Sequence, residues 1–302
     1  MPNSTGWPKK NRLPWVDRAN HMIVETLRRG LVGQVRNVFN DRGQGETPVQ
    51  PSDKALLPRG SVAWRVHGDV TTMMVGGVSG LLLEMLHPAA LAGVWDHSNF
   101  RNDMLGRLRR TARFIALTTY AERSNAEAAI ARVNRIHANV TGTMPDGTMY
   151  RANDPRLLAW IHVAGAVSFL NAWIRYSEPT MSRRDKDAYF AEVADVARRL
   201  GADPVPQTRS EADALIAQFR GELRATDRSR EVAAIILNPQ AAGLRAIPVQ
   251  AVMAQAATDL LPRWARKMHG LNSSMLARPM IDAATFGMAS TLRWAFAAEA
   301  KR

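Results

Sequence analysis

Two histidines stand on either side of one turn-rich connection, His137 in I-H-A-N-V and His162 in L-A-W-I-H. Each lies at the apolar edge of a helical pattern, because His137 follows Ile130 and Val133, and His162 follows Leu158. Neutral imidazole is the commonest metal ligand in proteins. We therefore predict that this stretch forms part of a cofactor pocket. The alternative is that each histidine is a hydrogen-bonded core residue.

The chain contains seven histidines and no cysteine, which restricts the metal chemistry open to it. A zinc or non-haem iron site normally adds a carboxylate or a further histidine. No H-E-x-x-H motif occurs, which disfavours a zincin. Haem differs, because one proximal histidine is enough and apolar walls supply the rest of the site.

The segment G-R-L-R-R-T-A-R-F-I-A-L-T-T-Y, 106–120, places Arg107, Thr111, Phe114 and Thr118 on one helical face. A guanidinium on an apolar face needs an anionic partner, since unpaired burial of a charge is unfavourable by several kcal/mol. The candidates are Glu84, Asp96, Asp69 or a ligand carboxylate such as a haem propionate. The alternative is an ordinary salt bridge at the edge of the core.

A second helical face, in 154–176, collects Leu158, Ile161, His162, Gly165 and Phe169. Two further histidines, His87 before Pro88 and His97 near a predicted helix end, either cap a helix terminus or reach the pocket.

Helical periodicity dominates the chain and strand signals are few, so the predicted fold class is all-α. An amphipathic pattern covers 16–39 and a loop rich in Gly and Pro follows it. The segment 61–69 is compatible with a strand or a turn. We predict helices over 70–86, 88–95, 103–121, 124–141, 154–176, 183–200, 209–224, 228–237, 248–268 and 275–299.

Two local signals mark boundaries within this pattern. Asp154 followed by Pro155 predicts a helix start, because a carboxylate caps the first turn and proline fits its first position. Asp146-Gly147 predicts a turn. We predict that 61–302 is a single-domain multi-helix bundle enclosing a cofactor pocket, and that 1–60 is an N-terminal helix and loop arm.

The formal net charge of +13 favours polyanions or an anionic membrane surface. No DNA-reading motif and no interleaving of basic with aromatic residues is visible, so we expect no nucleic-acid partner. The apolar run 70–94 is long enough to span a bilayer, but Glu84, His87 and Pro88 interrupt it. We predict a buried core helix broken near Pro88 instead.

Several spaced motifs in one order resemble the family that contains latex clearing protein and the MpaB-type oxygenases. They are W-R (64–65), L-L-L-E-M-L-H-P (81–88), D-H-S (96–98), R-L-R-R-T (107–111), I-H-A-N-V-T-G (136–142) and D-G-T-M-Y-R-A-N-D-P-R-L-L-A-W-I-H (146–162). The resemblance covers roughly 60–200 well and continues more loosely through 260–271.

This resemblance implies an all-α protein that holds haem b and oxidises or cleaves an apolar substrate with dioxygen. His137, in H-A-N-V, corresponds to the proximal iron ligand, and Arg107 and Thr111 correspond to the family's R-x-x-[KR]-T motif. Arg110 stands where latex clearing protein has a lysine that caps the distal iron. A guanidinium is a poor iron ligand because it stays protonated. His162 is then a pocket residue behind the ligand or a ligand of another metal.

We therefore predict a haem-dependent oxygenase whose catalytic residues are Arg107 and Thr111, with an isoprenoid or lipid-like substrate and O2 as partners. The predicted cofactor-binding residues are His137, Arg107, Thr111 and His162, with His137 as the metal ligand. The alternative is a non-catalytic helical protein that binds haem or an apolar ligand. Because the first 21 residues lack the apolar core of a signal peptide, we expect a cytoplasmic protein, with peripheral membrane contact as the alternative.

Overall fold

A computed structural model describes residues 47–238, 247–272 and 276–297, together with 22, 25, 26, 28–30, 32 and 33. Its described part is almost entirely helical, which confirms the predicted all-α class. The helices are α1 Val62–His67, α2 Val70–Glu84, α3 Pro88–His97, α4 Met104–Tyr120, α5 Arg123–Ala138, α6 Pro155–Tyr176, α7 Arg183–Leu200, α8 Arg209–Phe219, α9 Asp227–Leu237, α10 Ile247–Leu260, α11 Arg263–His269 and α12 Arg278–Ala297.

The centre of the bundle is the pair α2 and α6, which make the most extensive contact between any two helices. Both helices are apolar on nearly every side, which is typical of helices buried all round. Leu82 of α2 and Trp160 and Leu170 of α6 are completely buried. These two helices therefore form the buried centre against which the outer helices pack.

The apolar run 70–94 is divided into α2 and α3, which meet at an angle of 105°. The bend falls at His87 and Pro88, because a residue before proline is pushed out of the helical region. The predicted break near Pro88 is confirmed. Among the described residues, α6 is long and apolar enough to cross a membrane, but 61% of its apolar window is buried inside the fold.

The only strands in the described part of the chain are β1 Thr141–Thr143 and β2 Met149–Arg151, an antiparallel pair in which Gly142 faces Tyr150. The predicted Asp146-Gly147 turn joins them, and Gly147 adopts a φ of 87° that glycine accepts readily. The predicted start of α6 is also confirmed, since the Asp154 side chain accepts a hydrogen bond from the backbone N–H of Leu157 at 2.9 Å.

Several predicted boundaries are wrong. The segment 61–69 contains a helix rather than a strand or turn, because Ser61 caps it by accepting from the backbone N–H of Trp64. The predicted helix 248–268 is two helices, α10 and α11, separated at Leu261-Pro262, where proline prevents continuation. Most of the predicted helix 16–39 and of the arm 1–60 lies outside the described residues.

Two helices are only loosely packed on this core. In α4 the buried residues are Met104, Thr118 and Thr119, and in α5 they are Ala126 and Ile130. Many other side chains of the two helices stay half-exposed, although α4 carries a run of apolar residues. For α4 the reason is that much of its inner face borders an internal space rather than another helix.

Candidate functional site

That internal space is a cavity of about 320 Å³, enclosed mainly by α2, α4, α6 and α7. Its volume lies within the range of about 300–1,000 Å³ that is usual for small-molecule sites. Most of the wall is hydrocarbon. The polar side chains of the wall come from α1, α2, α4, α5, α6 and α7.

The face of α4 that the sequence predicts to be apolar lines the cavity. Its four residues Arg107, Thr111, Phe114 and Thr118 are all on the wall. Asp103 fixes the start of the helix by accepting a hydrogen bond from the backbone N–H of Gly106 at 2.8 Å. The Thr111 hydroxyl donates to the backbone carbonyl of Arg107 at 3.2 Å. Thr111 therefore lies at the cavity with its hydroxyl proton bonded within its own helix.

The charges of Arg107 on α4 and Glu84 on α2, both on the cavity wall, act on each other through space. Burial raises the pKa of Glu84 to about 7, and the charge of Arg107 opposes that shift. Burial also lowers the pKa of Arg107, and Glu84 opposes that shift in turn. At neutral pH the Glu84 carboxyl group can therefore exchange a proton readily.

The other two carboxylates considered as partners of Arg107 are engaged elsewhere. Asp96 accepts a hydrogen bond from the Tyr150 hydroxyl at 2.7 Å, and Asp69 pairs with Arg293 of α12. Glu84 is thus the one of the three protein carboxylates that reaches the cavity. In the sequence Glu84 is a lone carboxylate in the long apolar run, which predicts an ion partner for Arg107 but no acid–base role.

Both predicted histidines lie on the cavity wall, His137 from α5 and His162 from α6. Burial lowers the pKa of both rings, that of His162 to about 4 with a contribution from the nearby Arg198. One buried ring nitrogen of each histidine has no hydrogen-bond partner, namely Nδ1 of His137 and Nε2 of His162. The structure therefore brings two neutral imidazoles with unsatisfied nitrogen atoms to one cavity.

Glu84 and Arg107 stand near the ends of their helices. Glu84 is the last residue of α2, and a Cβ built on Gly165 would stand 3.9 Å from its Oε1. Arg107 lies in the first turn of α4 and donates from Nη1 to Oγ of Ser98, directly after α3, at 3.2 Å. Because the charges of Glu84 and Arg107 act on each other, both groups belong to one end of the cavity.

The two histidines belong to the same end. His162 stands one turn before Gly165, which lies beside Glu84, and His137 is in the last turn of α5. We call this the polar end of the cavity, defined by Glu84, Arg107, His137 and His162.

A third histidine, His67, also lies on the wall and was not singled out from the sequence. Its Nδ1 is hydrogen-bonded to the Thr119 hydroxyl at 2.9 Å and its Nε2 to the Tyr189 hydroxyl at 3.0 Å. Burial lowers its pKa to about 4. With both nitrogen atoms engaged, His67 is held in place as a neutral part of the wall.

The remaining candidates, His87 and His97, do not belong to the described wall of the cavity. His87 precedes α3 without a capping hydrogen bond from its side chain, and His97 is bonded through Nε2 to the Thr141 carbonyl at 3.1 Å. Glu84 and His87 have the E-x-x-H spacing of di-iron bundles, but only Glu84 lies on the cavity wall. No group of three or more histidine or acidic side chains within the described residues could hold a metal ion.

The fold and the cavity together define an all-α domain built around an apolar pocket with a polar, imidazole-bearing end. A family profile described as "ER-bound oxygenase mpaB/B'/Rubber oxygenase, catalytic domain" matches residues 64–294. The chain belongs to this family and carries its oxygenase-type catalytic domain, which confirms the resemblance found in the sequence motifs. Comparison with curated proteins gave no match, and comparison with solved structures gave none either.

Proposed function

We propose that this protein is a haem b-dependent oxygenase that acts with O2 on an apolar, isoprenoid or lipid-like substrate. The observation that carries the proposal is the pair of neutral imidazoles with unsatisfied nitrogen atoms on the wall of an apolar cavity. An unsatisfied buried polar atom is unfavourable by about 1–3 kcal/mol. His87 and His269 also have one such nitrogen, but only those of His137 and His162 belong to side chains on the cavity wall, where a bound ligand could complete their bonding.

The residues at the polar end fit haem. His137 would hold the iron, for which one imidazole suffices, and Arg107 would pair with a propionate as a charge-assisted hydrogen-bond donor. His162 would form part of the wall near the ring. When bound, ferrous haem supplies the activation of O2 for attack on an alkene or a C–H bond.

Glu84 and Thr111 have distinct tasks in this proposal. The Glu84 carboxyl group is half protonated near neutral pH because burial raises its pKa to about 7. It can therefore deliver a proton to the polar end, or remove one, at a carboxyl oxygen. Thr111, at the edge of the cavity, would orient the substrate or a propionate through its hydroxyl oxygen.

The apolar remainder of the wall determines the substrate class. This apolar wall makes dispersion contacts with a ligand and excludes water. It includes Phe114, Ile161 and Val193. A substrate rich in hydrocarbon gains about 25 cal/mol for each Å² of apolar surface that it buries. The polar end is then left for the reacting group.

The test is haem binding by the purified full-length protein. The wild-type protein should show a Soret band with stoichiometric iron, and His137→Ala should lose both. His97→Ala is the matched control, since His97 is exposed and lies off the cavity wall. Full haem retention by His137→Ala would disprove the ligand assignment. Oxygen uptake with a reductant and isoprenoid lipids then separates an oxygenase from a protein that only binds haem or an apolar ligand.

A further inference from the structure

A second cavity, of about 430 Å³, borders the first. Four residues belong to the walls of both cavities, which we call the partition: His67, Met73, Ala112 and Ile115. The two spaces are therefore separated by no more than the thickness of these side chains. The second cavity extends between α2, α4 and α12, with Leu292 and Phe296 on its far side.

The charged groups of the second cavity are engaged with protein partners. Arg293 pairs with Asp69 and also donates to the Tyr176 carbonyl at 2.9 Å. Asp69 in turn accepts from the backbone N–H of Thr72 at 2.8 Å. Arg113 donates to the Thr47 carbonyl at 2.9 Å.

The uncharged polar groups are engaged as well. The Tyr120 hydroxyl donates to the Trp64 carbonyl at 3.1 Å, and both ring nitrogen atoms of His67 are hydrogen-bonded. A polar ligand would have to break these bonds to be recognised, which is unfavourable. The rest of the wall is aliphatic and aromatic, so the second cavity suits a hydrocarbon chain.

The partition lies farther along α2 and α4 than Glu84 and Arg107. Met73 and Glu84 are eleven residues apart on α2, a distance of about 16 Å along the helix. On α4, Arg107 is about 7.5 Å from Ala112 and about 12 Å from Ile115 along the helix. A substrate whose reacting group sits at the polar end therefore directs its far end toward the partition.

The four side chains of the partition differ in how readily they let a chain through. His67 is held by two hydrogen bonds and Ile115 is branched and stiff. Met73 has an unbranched, flexible side chain that adapts to its neighbours, and Ala112 is the smallest of the four. Met73 and Ala112 are therefore the two residues of the partition that hinder a passing chain least.

We propose that the substrate is an elongated hydrocarbon chain that spans both cavities and passes between Met73 and Ala112, which set the length of chain that is accepted. The inference rests on the proposed function only in placing the reacting group at the polar end. The second cavity is then a binding site for the distal part of the chain.

The test compares Ala112→Phe with wild type in binding unbranched primary alcohols, from octanol to octadecanol, by displacement of a fluorescent apolar probe from the full-length protein. In the wild type, affinity should rise about fourfold for each added methylene while the chain extends into the second cavity. In Ala112→Phe the rise should stop at intermediate length, so that the affinity for octadecanol falls at least tenfold more than the affinity for octanol. Ala131→Phe, at an exposed position of α5, should follow the wild type.

The same rise with chain length in Ala112→Phe as in wild type would overturn the proposal. A second measurement uses wild-type protein alone, with octadecanol carrying a diazirine at its terminal carbon. Cross-links should fall on residues that line only the second cavity, such as Ala116 and Leu292, and cross-links confined to the first cavity would also overturn it. Neither measurement needs haem, so a missing Soret band would disprove the cofactor proposal and leave this one standing.

Discussion

Gly76 of α2 lies directly against the backbone of Phe169 of α6, so close that a Cβ built on Gly76 would stand 2.8 Å from the Phe169 Cα. The neighbouring Gly77 has more room, because its Cβ would meet the nearest Phe169 ring atom at an ordinary 3.5 Å. The Phe169 ring also lies on the cavity wall. The close approach at Gly76 therefore sets both the packing of the two central helices and the shape of the site.

Gly76→Ala should lower the free energy of unfolding by about 1–3 kcal/mol, the usual effect of overpacking a rigid core. Gly77→Ala should be neutral or stabilising by up to about 1 kcal/mol, since alanine favours a helix more than glycine does. Urea unfolding of the two variants checks this. Equal changes in the free energy of unfolding would mean that α2 and α6 can move apart without loss of stability, and would contradict the prediction.

The salt bridge between Arg293 of α12 and Asp69 should hold α12 against the core, because the Asp69 side chain is only 5% exposed. Arg293→Leu should be destabilising by about 3 kcal/mol, because it leaves a buried carboxylate without its cation. The control is Arg230→Leu, which removes an exposed pair with Asp227 and should change stability by about 0.5 kcal/mol or less. Thermal unfolding of both variants measures the difference, and similar small shifts would contradict the assigned role.

Glu84 should make stability fall as the pH rises. Its pKa is about 7 in the folded protein against 4.5 for the ordinary group, so between these values the folded state binds more protons than the unfolded state. Glu84→Gln should therefore match the wild type near pH 4 and exceed it above pH 7, by up to roughly 3 kcal/mol. Urea unfolding over that pH range tests this, and a difference that does not vary with pH would refute it.

Arg107 should affect haem retention and the pKa of Glu84 at the polar end, and Arg110 should affect neither. Arg107→Gln should weaken haem retention at least about tenfold, the equivalent of losing one charge-assisted hydrogen bond. It should also raise the pKa of Glu84 further, because the opposing charge is removed. Arg110→Gln breaks a pair with Asp103 in which the arginine is 63% exposed, and should leave both quantities unchanged. Equal effects of the two variants on haem retention would place Arg107 outside the site.

The sequence by itself determined which side of each helix faces inward. Arg107 and Phe114 on α4, and Leu158 and Phe169 on α6, reach the cavity as their spacing predicts. A helical face is a local property, because the position of each side chain around the axis follows from the 3.6-residue repeat. Capping at Asp154 is equally local, because it involves only the first turn of α6. The family motifs are likewise short stretches of the sequence.

Only the tertiary structure decided which faces meet. It placed Glu84 rather than Asp96 on the same cavity wall as Arg107, brought His67 between Thr119 and Tyr189, and left a second cavity next to Ala112. The physical reason is that pairing between helices depends on their packing across the whole bundle, which no short window of sequence contains. A cavity, likewise, is defined by where several helices fail to touch.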